Sequence, residues 1–196
     1  MTIRLLPSTT VNRIAAGEVV ERPASAIKEL VENSIDAGAK RIDVIIRDGG
    51  RTFLSVSDDG RGMSPEELTL AVERHATSKL PNDNLENIQT LGFRGEALPS
   101  IGSVSRMTIS SRTPDADSAW MISIEGGDKS EPAPAALNQG TTIEVRDLFY
   151  ATPARLKFLK TPKTENSHAL DTTKRLAMAH PEIAFTVGDG ARTMLK

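Results

Sequence analysis

The chain reads as an α+β fold or a two-layer α/β sandwich, and two patterns predict it. Segments with apolar residues at helical spacing, such as Ala24 to Ala37 with Ile27, Leu30, Val31 and Ile35, are interleaved with strand-like segments. In the latter, apolar and polar residues alternate, as Ile42, Val44 and Ile46 do between Arg41 and Arg47. Glycine turns punctuate these segments, Gly49-Gly50 and Gly188-Asp189-Gly190 among them. At 196 residues the chain fits one domain, or one domain and part of a second. A chain of this size buries about 70% of its unfolded surface. With 38% hydrophobic residues but only one Trp, one Tyr and five Phe, the core must be aliphatic.

The elements follow in order. Val11 to Glu21 carries apolar residues at helical spacing and stops before Pro23. Pro23 suits the start of the next helix and Gly38 its end. A strand from Arg41 to Arg47, a turn at Gly49-Gly50 and a second strand from Thr52 to Ser57 come next. Ser64-Pro65-Glu66-Glu67 opens a helix with a capping pattern. Arg74 to Thr90 is polar and weakly periodic, a long mobile loop with at most a short helix. A short helix is expected over Gly95 to Gly102, with Pro99 inside it or ending it. Strands follow near 104–112, 119–125 and 141–146, and Glu131 to Ala136 is an exposed connection. Pro153 begins one helix, Glu165 to Ala179 forms a longer one, and Ile183 to Val187 pairs with Arg192 to Leu195 as a hairpin.

Composition narrows the function classes. The formal charge of −2 and pI near 6.0 argue against a wholly basic nucleic-acid-binding domain, though not against a local basic groove. With no cysteine, disulfides and thiolate metal sites are excluded, and His75, His168 and His180 are too widely spaced for a metal motif. The opening Met-Thr-Ile-Arg-Leu-Leu-Pro is too short and broken for a signal peptide, and no apolar run reaches membrane-spanning length. The expected location is the cytoplasm.

Four local signals carry chemistry. Glu29 and Asn33 share a helix face, where a carboxylate could activate water and an amide oxygen could hold magnesium. Each also fits an ordinary solvated helix end. Asp58 ends a strand-like stretch beside Gly60 and Gly62. Its carboxylate could accept an adenine amino proton while the glycines let backbone approach a flat base, or the segment could be a plain Asp-Gly turn. Gly92 and Gly95 bracket Phe93-Arg94 before Glu96-Ala97-Leu98, a helix start whose amides could bind phosphate oxygens, with Lys79 and Arg94 adding positive charge. Gly140-Thr141-Thr142 leads into a strand and could reach a base edge through water. No Gly-x4-Gly-Lys-Ser/Thr loop occurs.

The order and spacing of these signals resemble the split nucleotide site of the GHKL ATPases, which include gyrase-type topoisomerases, ninety-kilodalton heat-shock chaperones, histidine kinases and MutL. Whole words narrow the resemblance to the MutL family: Ile14 to Ala24, Lys28 to Gly38, Gly92 to Leu98, and Asp147-Leu-Phe-Tyr-Ala-Thr-Pro-Ala-Arg155 with Lys157-Phe158-Leu159. The last word is absent from the other branches, and a histidine kinase would need a phosphoacceptor His and a dimerisation helix pair.

The resemblance implies a two-layer α/β sandwich of the Bergerat type, with a mixed, mostly antiparallel sheet and helices on one face. It implies ATP and Mg2+ as cofactors, with Glu29 as general base and Asn33 as magnesium ligand. Asp58 would hold adenine, with Gly60, Gly62, Met63 and Thr142 around it. Thr77, Ser78 and Lys79 would belong to a lid. Gly92, Phe93, Arg94, Gly95, Glu96, Ala97 and Leu98 would cradle the phosphates. The implied role couples a mismatch-recognition protein to a downstream nuclease or helicase, through ATP-dependent homodimerisation of the N-terminal region and with weak DNA binding. Residues 1–196 would form the nucleotide-binding subdomain alone, without the second ATPase subdomain, linker and C-terminal dimerisation domain, so hydrolysis by this fragment is expected to be poor. Ala151, Pro99 and Gly102 depart from the family pattern, and the last two are expected to stiffen or shorten their helix. A scaffold that merely retains the ATPase fold is the competing reading. On it, Arg155, Lys157, Lys160, Lys163 and Arg175 form either a DNA-binding face or a solvated helix surface.

Overall fold

The computed structural model describes residues 3–80, 88 and 90–196. The expected loop at Arg74 to Thr90 therefore lies partly outside the described residues. Helices α1 (Ser8–Val19) and α2 (Pro23–Asp36) precede strands β1 (Arg41–Arg47) and β2 (Phe53–Asp58). Then come α3 (Pro65–Ala71), α4 (Ala97–Val104), β3 (Arg106–Arg112), β4 (Ala119–Glu125), β5 (Asp128–Lys129), β6 (Ala133–Ala135) and β7 (Gly140–Arg146). The chain closes with α5 (Pro153–Leu156), α6 (Pro162–Ala179), β8 (Ala184–Gly188) and β9 (Thr193–Leu195).

The described strands form one sheet in the order β5-β4-β3-β7-β2-β1-β8-β9, with β6 also on β4. Every pairing is antiparallel except β1 with β8. Register aligns Val44, Val56, Ile143, Ile109 and Ile122 across five strands on one face. All five are buried. Because side chains alternate, the opposite face takes Asp43, Ser57, Thr142, Ser110 and Met121. The helices pack on the apolar face: α2 against β1 and β2, α4 against β3 and β4, α6 against α2 and β8. Ala26, Ile27, Leu30 and Val31 make α2 the centre of the core, with no exposure. Each fully buried aliphatic side chain of this kind contributes about 1.5–3 kcal/mol. This is the two-layer architecture expected.

Several boundaries moved, α1 among them, which runs from Ser8 to Val19. β2 runs through Asp58, which pairs with Ile42 and Thr141. α4 begins at Ala97 and carries Pro99 in its first turn, where a missing N–H is harmless. Gly102 does not shorten α4: it lies buried mid-helix, where a Cβ would stand 2.8 Å from Ile124 Cγ2. α6 starts at Pro162 because Thr161 Oγ1 caps it, accepting from the Thr164 amide at 3.3 Å. The expected connection at Glu131 to Ala136 contains a short edge strand, and Pro134 is tolerated there because an edge leaves one side unpaired.

Candidate functional site

Helix α2 supplies the site's first wall. Burial of its inner stripe fixes its rotation, and Glu29, Asn33 and Asp36, spaced four and three apart, then line one side. Glu29 keeps a carboxylate 30% exposed, with Lys28 Nζ 3.4 Å away. Asn33 Oδ1 accepts from Lys79 Nζ at 2.7 Å. The same ammonium donates to Asp36 Oδ2 at 2.6 Å. Asp36, only 7% exposed, also accepts from the amides of Leu91 at 3.0 Å and Gly92 at 3.2 Å. Two chain segments, one ending near Lys79 and one beginning near Leu91, are thus fastened to the last turn of α2.

The second wall is where β2 meets β7. Asp58 Oδ2 accepts from Ser34 Oγ at 2.7 Å and Oδ1 from the Gly60 amide at 2.9 Å. Burial pushes the Asp58 carboxyl above its ordinary value, against the opposing pull of its donors Ser34, Gly60 and Thr141. Opposite Asp58, Thr141 shares a hydroxyl hydrogen bond of 2.8 Å with Ser111, and Ser111 Oγ accepts from the Met63 amide at 2.8 Å. This cluster therefore places a carboxylate beside hydroxyls that are already tied down. Gly62 adopts φ +67°, and a Cβ there would run into the Arg112 carbonyl. Its glycine is thus required by the strand crossing itself, independently of any ligand.

The expected phosphate segment divides. Gly92 sits against the Asn33–Lys79–Asp36 cluster, where its Cα leaves room for the Lys79 ammonium. Arg94 stacks over the Phe93 ring at 5.5 Å. Gly95 has φ +62° and packs beneath the Ala76 backbone, and its carbonyl accepts from the His75 amide at 3.2 Å. Glu96 turns to Arg74 at 3.3 Å and His75 at 2.9 Å. These pairings tie α4 to the chain after α3. Ala97 and Leu98 open α4, and Leu98 packs against the core. On the lid arm, Thr77 Oγ1 accepts from the Lys79 amide at 3.2 Å, and Arg61 donates to Ser78 Oγ at 3.4 Å.

Asn33, Lys79 and Gly92 are therefore brought together, as are Asp58, Gly60 and the backbone of Met63. Thr142 is not brought to the Asp58 cluster. It lies on the face opposite Asp58, where its hydroxyl donates to Ser57 Oγ at 3.0 Å. Its neighbour Thr141 occupies the pocket side. The two are one residue apart in a strand of period two, so choosing between them requires the register with β2. Sequence reasoning also missed Ser34 and Asp36. Ser34 is a polar residue at the core position four after Leu30, and Asp36 extends the Glu29–Asn33 stripe by three; both were readable signals. Of the basic residues, Lys160 and Arg175 join Arg22 and Lys28 around a cleft of about 520 Å³ between α2 and α6. Arg155 turns instead to the Glu21 carbonyl at 3.4 Å.

Magnesium fits the α2 side on chemistry. The Asn33 and Asp36 oxygens converge on one point already filled by an ammonium, a cation that stands in for another cation. No group of three or more His, Cys, Asp or Glu is assembled for a metal among the described residues.

Residues 21–146, more than half of the chain, match the family described as histidine kinase-, DNA gyrase B- and HSP90-like ATPases. The chain belongs to this ATPase family. Within it, the relatives are MutL proteins. Over 195 residues, all of the chain, it is 69% identical to the DNA mismatch repair protein MutL of Paramagnetospirillum magneticum, and it covers 32% of that protein. It is 68% identical to MutL of Rhodospirillum rubrum, covering all of this chain and 31% of that one. The chain thus spans about a third of the MutL proteins it matches. The Aquifex aeolicus MutL ATPase domain complexed with ADP superposes with a TM-score of 0.76 at 34% identity, covering 91% of this chain and 64% of that one. Among the described residues of this family member, no helix is long and apolar enough to cross a membrane.

Proposed function

We propose that this region binds ATP with Mg2+ between α2, the Asp58 pocket and the lid arms, and that residues 1–196 are the nucleotide-binding subdomain of a mismatch repair ATPase. The carrying observation is the Asp58 cluster: a half-buried carboxylate, held by Ser34 and the Gly60 amide, beside the tied hydroxyl of Thr141. In this reading Asp58 accepts the adenine amino proton, and Thr141, in place of Thr142, addresses the base edge. Gly60, Gly62 and Met63 frame the base. Asn33 would hold magnesium, which supplies charge neutralisation to the phosphates when bound. Glu29, exposed and on the same side of α2, takes the proton of the attacking water. Thr77, Ser78 and Lys79 form the lid arm, and Gly92 to Leu98 present amides to the phosphates while Glu96 braces them.

The ADP complex of the Aquifex aeolicus MutL ATPase domain supports nucleotide binding by this region. In the whole protein, ATP would drive conformational change and N-terminal homodimerisation that couple a mismatch-recognition protein to a downstream nuclease or helicase in the cytoplasm. DNA would bind weakly, with Lys160 and Arg175 among its phosphate contacts; a steep fall of DNA affinity with salt tests that contact. Slow hydrolysis by residues 1–196 is part of this reading. Calorimetric titration of this region with a non-hydrolysable ATP analogue, with and without Mg2+, tests the proposal. Saturable, magnesium-enhanced binding is expected. No binding here, together with no binding by the full-length protein, would overturn it.

A further inference from the structure

We infer that Ser111 is a positioning residue that sets base specificity: it takes the proton of the Thr141 hydroxyl, so that Thr141 turns only acceptor lone pairs toward a bound base. The inference rests on the nucleotide reading of the Asp58 cluster and adds to it how the cluster tells an amino group from a carbonyl. Ser111 lies near the end of β3 and has no exposure. Three protein groups surround its oxygen. The Met63 amide donates to Ser111 Oγ at 2.8 Å, the Gly140 carbonyl stands 3.0 Å away as an acceptor, and Thr141 Oγ1 stands at 2.8 Å. A serine hydroxyl has one proton and two lone pairs. The proton goes to the carbonyl, which has none to give. One lone pair takes the Met63 amide, and the second is left for the Thr141 proton. All three contacts are satisfied together only in this arrangement, and a fully buried hydroxyl is costly to leave with one unmade.

The proton count at Ser111 decides what its neighbours can offer a ligand. Thr141 Oγ1, its proton spent, keeps acceptor capacity alone. Thr141 stands directly opposite Asp58 where β7 pairs with β2, so the two side chains share one face of the sheet. At Asp58, Oδ2 accepts from Ser34 Oγ at 2.7 Å and Oδ1 from the Gly60 amide at 2.9 Å. A carboxylate has about four acceptor positions, so Asp58 retains capacity for a ligand donor. The nearby donors are engaged within the protein: the Ser34 hydroxyl and Gly60 amide by Asp58, the Met63 amide by Ser111. The cluster thus presents acceptors and no free proton. A purine with an amino group at its six position meets them with N–H donors. A purine with a carbonyl there brings another acceptor against a carboxylate and leaves both sides unpaired, which is a strong basis for rejection.

The test compares two non-hydrolysable triphosphates, one of adenosine and one of inosine, by competition calorimetry on the full-length protein. At the six position the first carries an amino group and the second a carbonyl. The readout is the ratio of the two affinities, because a merely structural loss at Ser111 weakens both. The unaltered protein is expected to favour the adenosine analogue. Ser111→Ala frees the Thr141 proton and is expected to lower that preference about fivefold, the size of one ordinary hydrogen bond. Thr141→Val removes the hydroxyl, and in that background Ser111→Ala is expected to change the ratio less than about twofold, since the group it acts through is gone. Should Ser111→Ala fail to fold, Ser111→Cys fills the space with a weaker acceptor and is expected to lower the preference in the same direction. An unchanged ratio in the single variant, with adenosine-analogue binding retained, overturns the inference and leaves the nucleotide site standing. Equal affinity for the two analogues in the unaltered protein, or an equal fall of the ratio with and without the Thr141 hydroxyl, overturns it as well. Absence of adenosine-analogue binding by the unaltered protein overturns both this inference and the reading beneath it.

Discussion

The adenine side and the lid side of the site are built from different materials. Around Asp58 the partners are neutral donors carried on regular elements: Ser34 on α2, the Gly60 amide just past β2, and Thr141 in register on β7. Around Asn33 the partners are an ammonium and two amides carried on loops, gathered by Asp36. The first arrangement is set by the sheet and helix packing that hold the domain together, so it is preorganised for a base. The second is set by charges that meet from segments distant in sequence, so it depends less on regular secondary structure.

The largest expected effect breaks chemistry away from both sides. In the full-length protein, Glu29→Ala should cut turnover by about 10²- to 10⁴-fold while leaving analogue affinity within about twofold; turnover equal to the parent would remove Glu29 from the base role. Asp58→Asn comes next and strikes the adenine side alone. Loss of a charge-assisted hydrogen bond worth about 1.5–3 kcal/mol should weaken ATP analogue binding about tenfold or more by calorimetry. Unchanged affinity would place adenine elsewhere.

The same substitution has a signed effect on stability. Burial raises the Asp58 pKa above 3.8, so the folded state holds this proton more tightly than the unfolded chain. The ionised carboxylate therefore weakens the fold at neutral pH, and the deficit disappears as pH falls through the folded pKa. Thermal denaturation should show Asp58→Asn gaining most on the parent near neutrality, with the difference shrinking on acidification. A gain that instead grew at low pH would contradict the raised pKa. The smallest effect sharpens the register. Thr141→Val should weaken analogue binding by a few-fold, about 1 kcal/mol for one lost hydrogen bond, whereas Thr142→Val should leave it unaltered. The opposite order would return the contact to Thr142.

Much of this was legible beforehand because periodicity and turn chemistry act locally. The stripe Ile27, Leu30, Val31 announced α2 and, through it, the common side of Glu29 and Asn33. Alternation at Ile42, Val44 and Ile46 announced β1. The ends of elements were less legible. Whether β2 stops at Ser57 or Asp58 depends on pairing with Ile42 and Thr141, which are far away in sequence. Ser34 looked like a helix polar residue, yet it is buried and spends its hydroxyl on Asp58, 24 positions later. Glu96 lay within the expected phosphate cradle, but Arg74 and His75 claim its carboxylate.

By itself, the sequence determined which segments are helices and strands, which apolar residues form the core, and which family words the chain carries, because each depends on spacing within a dozen residues or fewer. Only the tertiary structure decided which hydroxyl of Thr141-Thr142 lies on the same face as Asp58, and that the Lys79 ammonium reaches Asn33 and Asp36. Those outcomes depend on strand register and on charges meeting across 43 or more positions of chain. No local pattern encodes such a meeting until the sheet and α2 bring the partners within 3 Å.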